Sequence, residues 1–225
     1  MAVPILESQL FITGDNLSQE EFLHRYSQMP ELKKAELIGG VVYMPSPVSV
    51  EHSRADSFLS GLLSYYCVHT PGLESGNNAT LLMMGDAPQS DSHLRILAEN
   101  GGNSWEENGF INGAPELIAE ISVSSKAYDL HQKLDLYLAA GVSEYLVYLV
   151  REHEIRWHRL VGSQYQLLPV EPDGIIRSIT FPGLWLNVRA FLDGERKLVY
   201  QTLQEGLESK KHAGFVEYLE SAGDQ

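Results

Sequence analysis

The chain has 225 residues, 44% apolar and 20% charged, the balance of a folded domain with one sizeable core. Its 30 acids outweigh 16 lysines and arginines for a formal charge of −14, which argues against a nonspecific binder of phosphate backbones. No apolar run approaches the ~20 residues that span a bilayer, the N-terminal stretch lacks a basic leader, and Cys67, the single cysteine, suits a reducing compartment; no membrane association and a cytoplasmic location are expected.

In chain order, "LSQEEFLHRYSQMP" (17–30) predicts a short helix, with Ser18 and Glu21 as a capping box and a stop before Pro30. "AELIGGVVYMP" (35–45) predicts two short strands about the Gly39-Gly40 turn. Over 48–68, Phe58, Leu62, Leu63 and Tyr66 fall at helical spacing, the mark of an amphipathic helix. Strands are expected near 78–84 and 92–98, then a loop rich in Gly and Asn over 99–113. A strand at 115–123 precedes a helix through 126–140, capped by Ser124 or Ser125 and stopped by Gly141. "SEYLVYLV", "EIRWHRLV" and "SQYQLLPV" predict three more strands, the first central, with another near 175–181. A C-terminal helix over 198–219 is expected to break near Gly206 or Gly214. This order implies an α/β or α+β fold, a mixed sheet flanked by helices.

The strand "PELIAEISVSS" poses a chemical problem. Alternation puts Leu117, Ala119, Ile121 and Val123 on one face and Glu116, Ile118, Glu120 and Ser122 on the other. Glu116, at the strand mouth, is readable as solvated. Burying Glu120 without a partner costs several kcal/mol or forces protonation. Either that face is wet, or Glu120 has a partner such as a metal ion.

Three further polar residues interrupt apolar elements: Glu36 in the first strand, Asp91 at a strand start, and Lys133 on the helix after Glu120. Converging carboxylates and a lysine suit magnesium-dependent phosphodiester hydrolysis. The acids offer hard oxygen ligands, the metal acidifies a bound water, and the lysine orients that water and offsets developing charge. Each residue also has a plainer reading. Glu36 is readable as an exposed strand residue and Asp91 as a turn former in "PQSDS". Lys133 is readable as the surface partner of Asp129 at i,i+4, although it borders the stripe of Leu130, Leu134, Tyr137 and Leu138.

The strings "AELIGGVVYMPSPVSVEHS", "PQSD" and "GAPELIAEISVSSKAYDLHQKLDLYLAAGVSEYLVY" resemble the Uma-type family of restriction-endonuclease-like proteins abundant in cyanobacteria, within the PD-(D/E)xK nuclease superfamily. The likeness covers about 17–170. It implies a restriction-endonuclease-like domain over 1–197, with 198–225 as a helical appendage. It places the superfamily acid at Asp91 and the second acid at Glu120. The lysine expected two residues later is replaced by Ser122, and in this family it has moved to the following helix, at Lys133. Glu36 matches the hairpin acid, while His52 and Gln89 match positions beside the site. Ser90 stands where the motif has proline, and Val41 where the hairpin has a second acid.

The resemblance implies a magnesium- or manganese-dependent DNA endonuclease with Glu36, Asp91, Glu120 and Lys133 as catalytic residues and Asp91 and Glu120 as metal ligands. The alternative is a catalytically weakened descendant that binds or regulates. His52 and His93 are open between structural and site roles, and Tyr137 and the three tryptophans are read as packing residues. A two-fold homodimer is expected. The C-terminal face of Val199, Leu203, Leu207, Phe215, Tyr218 and Leu219 would cover either a partner or its own domain.

Overall fold

The computed structural model describes residues 11–44, 47–123 and 128–223. The expected helix cap at Ser124 or Ser125 lies outside the described residues.

Helix α1 (Gln19–Ser27) starts where Ser18 Oγ accepts the Glu21 amide at 3.2 Å. Strands β1 (Glu36–Ile38) and β2 (Val41–Tyr43) form an antiparallel hairpin closed by Gly39 and Gly40, with φ of +60° and +72°. Two consecutive positive φ values are what a two-residue type I′ turn needs, and glycine adopts them without Cβ strain. The Asp86 carboxylate accepts both glycine amides, at 2.7 and 3.0 Å, and fixes the hairpin to the segment leading to Asp91. Helix α2 (Val50–Val68) is capped by Ser49, whose Oγ accepts the His52 amide.

A six-stranded sheet organises the rest, in the order β11-β10-β9-β8-β5-β3. Its members are β3 (Leu73–Asn77), β5 (Ser92–Ile96), β8 (Leu117–Ser122), β9 (Glu144–Leu149), β10 (Glu154–Val161) and β11 (Gln164–Leu167). β8 and β9 run parallel and the other pairs antiparallel, so the sheet is mixed as expected. β9 lies between β8 and β10 and is buried along its whole length, which explains its unbroken apolar run.

Two cores sandwich this sheet. Leu117, Ala119 and Ile121 of β8 face α2 together with α4 (Val188–Leu192), α5 (Arg196–Leu207) and α6 (Lys210–Gly223). Val199, Leu203, Leu207 and Leu219 are buried in that cluster, and α6 begins where Ser209 Oγ accepts the His212 amide. The break thus falls just after Gly206, while Gly214 lies inside α6. On the other face, Ile118, Tyr145 and Val147 pack against Leu136 and Tyr137 of α3 (Lys133–Ala140). A third, smaller cluster of Phe11, Phe22, Leu37 and Val42 joins α1 to the hairpin.

Three expectations need correction. The expected strand near 78–84 shrinks to β4 (Leu81–Leu82) after β3. The expected loop over 99–113 contains an antiparallel hairpin, β6 (Ser104–Glu107) and β7 (Phe110–Gly113). Asn108-Gly109, with φ of +53° and +79°, is a hairpin dipeptide that the overall Gly and Asn content obscured. The strand near 175–181 ends at Arg177 as β12 (Ile175–Arg177) and pairs with β13 (Trp185–Asn187).

Candidate active site

Glu120 sits in the middle of a strand buried at every residue, which removes the wet-face reading. Antiparallel pairing of Ser92 with Ala119 puts Asp91, one residue earlier, across from Glu120. Directly opposed residues share a face of the sheet. Asp91 Oδ2 accepts the Ile121 amide at 2.8 Å, so the neighbouring strand orients the carboxylate.

The helix side of the site starts unusually. Tyr128–Gln132 is a π-helical turn that passes directly into α3. Such wide turns recur at functional sites because they re-aim side chains. Lys133 follows at once. Its Nζ lies 2.9 Å from Glu120 Oε1 and 2.9 Å from Glu36 Oε1, and its ammonium also reaches the Gln89 carbonyl at 3.5 Å. The surface reading of Lys133 fails, because its side chain is buried and its charge faces carboxylates from β1 and β8. Gln89 donates its backbone amide to Glu36 Oε1 at 2.8 Å, so one residue's backbone touches both the hairpin acid and the lysine.

Glu36, Asp91, Glu120 and Lys133 are exposed by only 4, 5, 2 and 2%. Burial alone would drive the Lys133 ammonium towards neutrality. Glu120, Glu36, Asp129 and Asp91 around it reverse that and hold its pKa well above the usual lysine value. Burial pushes the Glu120 carboxyl up to about 8; Lys133 opposes this, and Asp91, Asp129 and Glu36 add to it. Asp91 shows the opposite balance. Burial raises it, but the His52 hydrogen bond and the charges of Lys34 and Lys133 outweigh burial and hold it below the ordinary carboxylate range. Burial and neighbouring charge thus push the two acids in opposite directions, Asp91 towards ionisation and Glu120 towards protonation.

The residues expected beside the site fall differently. His52 Nε2 is 3.1 Å from Asp91 Oδ2, and that bond raises the imidazole pKa. Gln89 contributes its backbone, while its side chain bonds the Tyr26 hydroxyl and Thr80. Ser122 is buried one step along the Glu120 face. His93 is buried with neither ring nitrogen hydrogen-bonded among the described residues, and burial lowers its pKa to about 4. Glu116 is not solvated: it is buried and accepts the amides of Ile96 and Asn103 and the Asn103 side chain, tying the preceding loop to the sheet.

Two contributors escaped the sequence reading. Lys34 Nζ lies 3.3 Å from Asp91 Oδ1; its i,i+2 relation to Glu36 was the available signal. The Tyr137 hydroxyl donates to Glu120 Oε1 at 2.8 Å, and its place one helical turn after Lys133 was the clue. Tyr137 is also a core residue, as expected.

Lys34, Glu36, His52, Asp91, Glu120 and Lys133 line a cavity of about 960 Å³ whose walls include Tyr43, Met44, Val48, Tyr128 and Arg151. Among the described residues, no group of three or more His, Cys, Asp or Glu side chains forms a complete metal cage. Magnesium does not require one, since it is commonly held by one or two carboxylates, waters and substrate phosphate. Asp91 and Glu120 supply hard oxygens on one face, and the buried acids crowded there, Glu36 and Asp129 among them, concentrate negative charge that a divalent cation would relieve. The donor set fits such an ion.

No curated protein matches the chain significantly. A solved structure described as "a putative nuclease belonging to DUF820 from Anabaena variabilis ATCC 29413" aligns with a TM-score of 0.56. The alignment has 16% identity and covers 83% of this chain and 99% of that chain; at that identity it shows a shared fold. Residues 19–189, spanning the hairpin, both carboxylate-bearing strands and α3, match the family described as "Uma2: Putative restriction endonuclease". The chain belongs to the Uma2 family.

Proposed function

We propose that the protein is a magnesium- or manganese-dependent DNA endonuclease that hydrolyses phosphodiester bonds with a metal-activated water. The observation that carries this reading is the Lys133 ammonium held 2.9 Å from both Glu36 and Glu120, on the face that Asp91 shares. Asp91 and Glu120 would hold the ion, which when bound supplies a Lewis acid and a more acidic water. Lys133 would orient the attacking water and offset charge building on the phosphoryl oxygens. Glu36 keeps the lysine charged and aimed, and Tyr137 holds the Glu120 carboxylate in place. His52 and Lys34 fix the two oxygens of Asp91.

A non-catalytic binding role is the second reading. It is favoured by the full engagement of Asp91 by Lys34, His52 and the Ile121 amide, and by the −14 charge. Nicking of supercoiled plasmid with manganese separates the two. Cleavage that requires the metal and falls at least ~100-fold in Asp91→Asn and Glu120→Gln is expected for the enzyme. Cleavage that persists in both variants, or that is absent at every pH from 6 to 9 with either metal, would overturn it.

A further inference from the structure

We propose that the cavity beside the carboxylates carries a nucleobase subsite, so that the strand to be cut is presented unpaired, with one base against Tyr43. This rests on the nuclease reading for the identity of the polymer, but its observations are separate. Tyr43 pairs across the hairpin with Glu36, so an aromatic ring stands beside the residue that holds Lys133. Its ring packs on Tyr128 at 4.7 Å between centroids, and the Lys133 ammonium lies 5.6 Å from the Tyr128 ring centre. Together these make an aromatic wall continuous with the acidic floor.

Two further features point to a base as the occupant. The Tyr128 hydroxyl is buried with no hydrogen-bond partner among the described residues, on a residue that lines the cavity. An unsatisfied buried hydroxyl costs free energy that a ligand's donor or acceptor would recover. At the rim, Met44 and Val48 are exposed by 39 and 68% on the same cavity. Apolar side chains there favour the flat face of a base over a hydrated phosphate.

Charge favours an unpaired strand over a duplex. Among the described residues, the cavity's lysines, Lys34 and Lys133, are engaged by Asp91, Glu36 and Glu120, and Arg151 is the arginine on its wall. Against these stand the acids of the same cavity and a net charge of −14, a poor match to the two phosphate backbones of a duplex. Stacking of bases on aromatic rings supplies affinity without that requirement. A base within a duplex is covered by its neighbours and cannot lie against a wall of the cavity.

The test uses the whole protein with calcium in place of magnesium, and a fluorescein-labelled mixed-sequence oligonucleotide offered single-stranded or as its duplex. The single strand is expected to bind at least ~10-fold more tightly. That preference should vanish in Tyr43→Leu, which keeps bulk and loses the ring, and persist in Tyr43→Phe, with thermal unfolding showing both variants folded. Equal or tighter duplex binding, no binding of either probe, or an unchanged preference in Tyr43→Leu would each overturn the subsite. Manganese-dependent cleavage, compared with Asp91→Asn, is scored separately. Cleavage with a duplex preference removes the subsite and leaves the nuclease reading; a Tyr43-dependent single-strand preference without cleavage does the reverse.

Discussion

Glu120→Gln discriminates between the two forces acting on the central carboxylate. Burial opposes its ionisation, while Lys133, 2.9 Å away, favours it. The folded-state value of about 8 says that burial and the neighbouring acids prevail. Folded protein then holds a proton on Glu120 that unfolded protein releases near the ordinary glutamate value. A raised folded pKa adds stability that is fully present below the unfolded value and is lost as pH climbs through the folded one. The loss is ~1.4 kcal/mol per pH step, so roughly 3 kcal/mol accumulates between pH 5.5 and 8. Glutamine has nearly the same shape, never ionises, and its Oε1 can accept from both the Lys133 ammonium and the Tyr137 hydroxyl. The variant should match wild type in urea unfolding at pH 5.5 and exceed it by about 2–3 kcal/mol at pH 8.5 without metal. Manganese should stabilise wild type at pH 8.5 but not the variant, because a ligand that binds only the folded state shifts its midpoint. A stability difference that is flat with pH, or that favours wild type as pH rises, would refute the reasoning and mean that Lys133 prevails over burial.

Lys133→Met should cost about 3–5 kcal/mol by leaving the Glu36 and Glu120 side chains buried without their cation; urea unfolding measures it. Tyr137→Phe removes a donor from the Glu120 carboxylate, so the rising limb of any cleavage–pH profile should move to higher pH with little change in metal requirement. His52→Gln should cost about 1 kcal/mol at pH 6 and little at pH 9: the raised histidine pKa adds stability that is full below its unfolded value and lost as pH rises through the folded one. Glu144→Ala should lower stability by roughly 3 kcal/mol in thermal or urea unfolding, because this buried carboxylate accepts from Trp157 Nε1, Ser178 Oγ and the amides of Ile179 and Thr180.

Periodicity made the two main helices, the Gly39-Gly40 hairpin and the central place of β9 legible, because each is decided by local pattern and burial. The β6–β7 hairpin was missed although Asn108-Gly109 announces it: the flanking residues Glu106, Glu107 and Asn112 lack apolar alternation, and a mostly exposed hairpin needs little. Glu116 misled for the opposite reason. A carboxylate at a strand mouth is usually solvated, and only the chain returning at Ile96 and Asn103 brings donors that make burial tolerable.

The convergence of Glu36, Asp91, Glu120 and Lys133 builds on period two in the strands, yet its tightness depends on features that no local pattern encodes. The hairpin is moored by the Asp86 carboxylate and by backbone bonds between Leu37 and Ala87, and that mooring places Glu36 within reach of a lysine 97 positions later in the chain. The lysine itself is aimed by the π-helical turn at Tyr128–Gln132. Widening the turn by one residue rotates the remainder of the helix, so Lys133 can face β8 while Tyr137, one turn on, still meets Glu120.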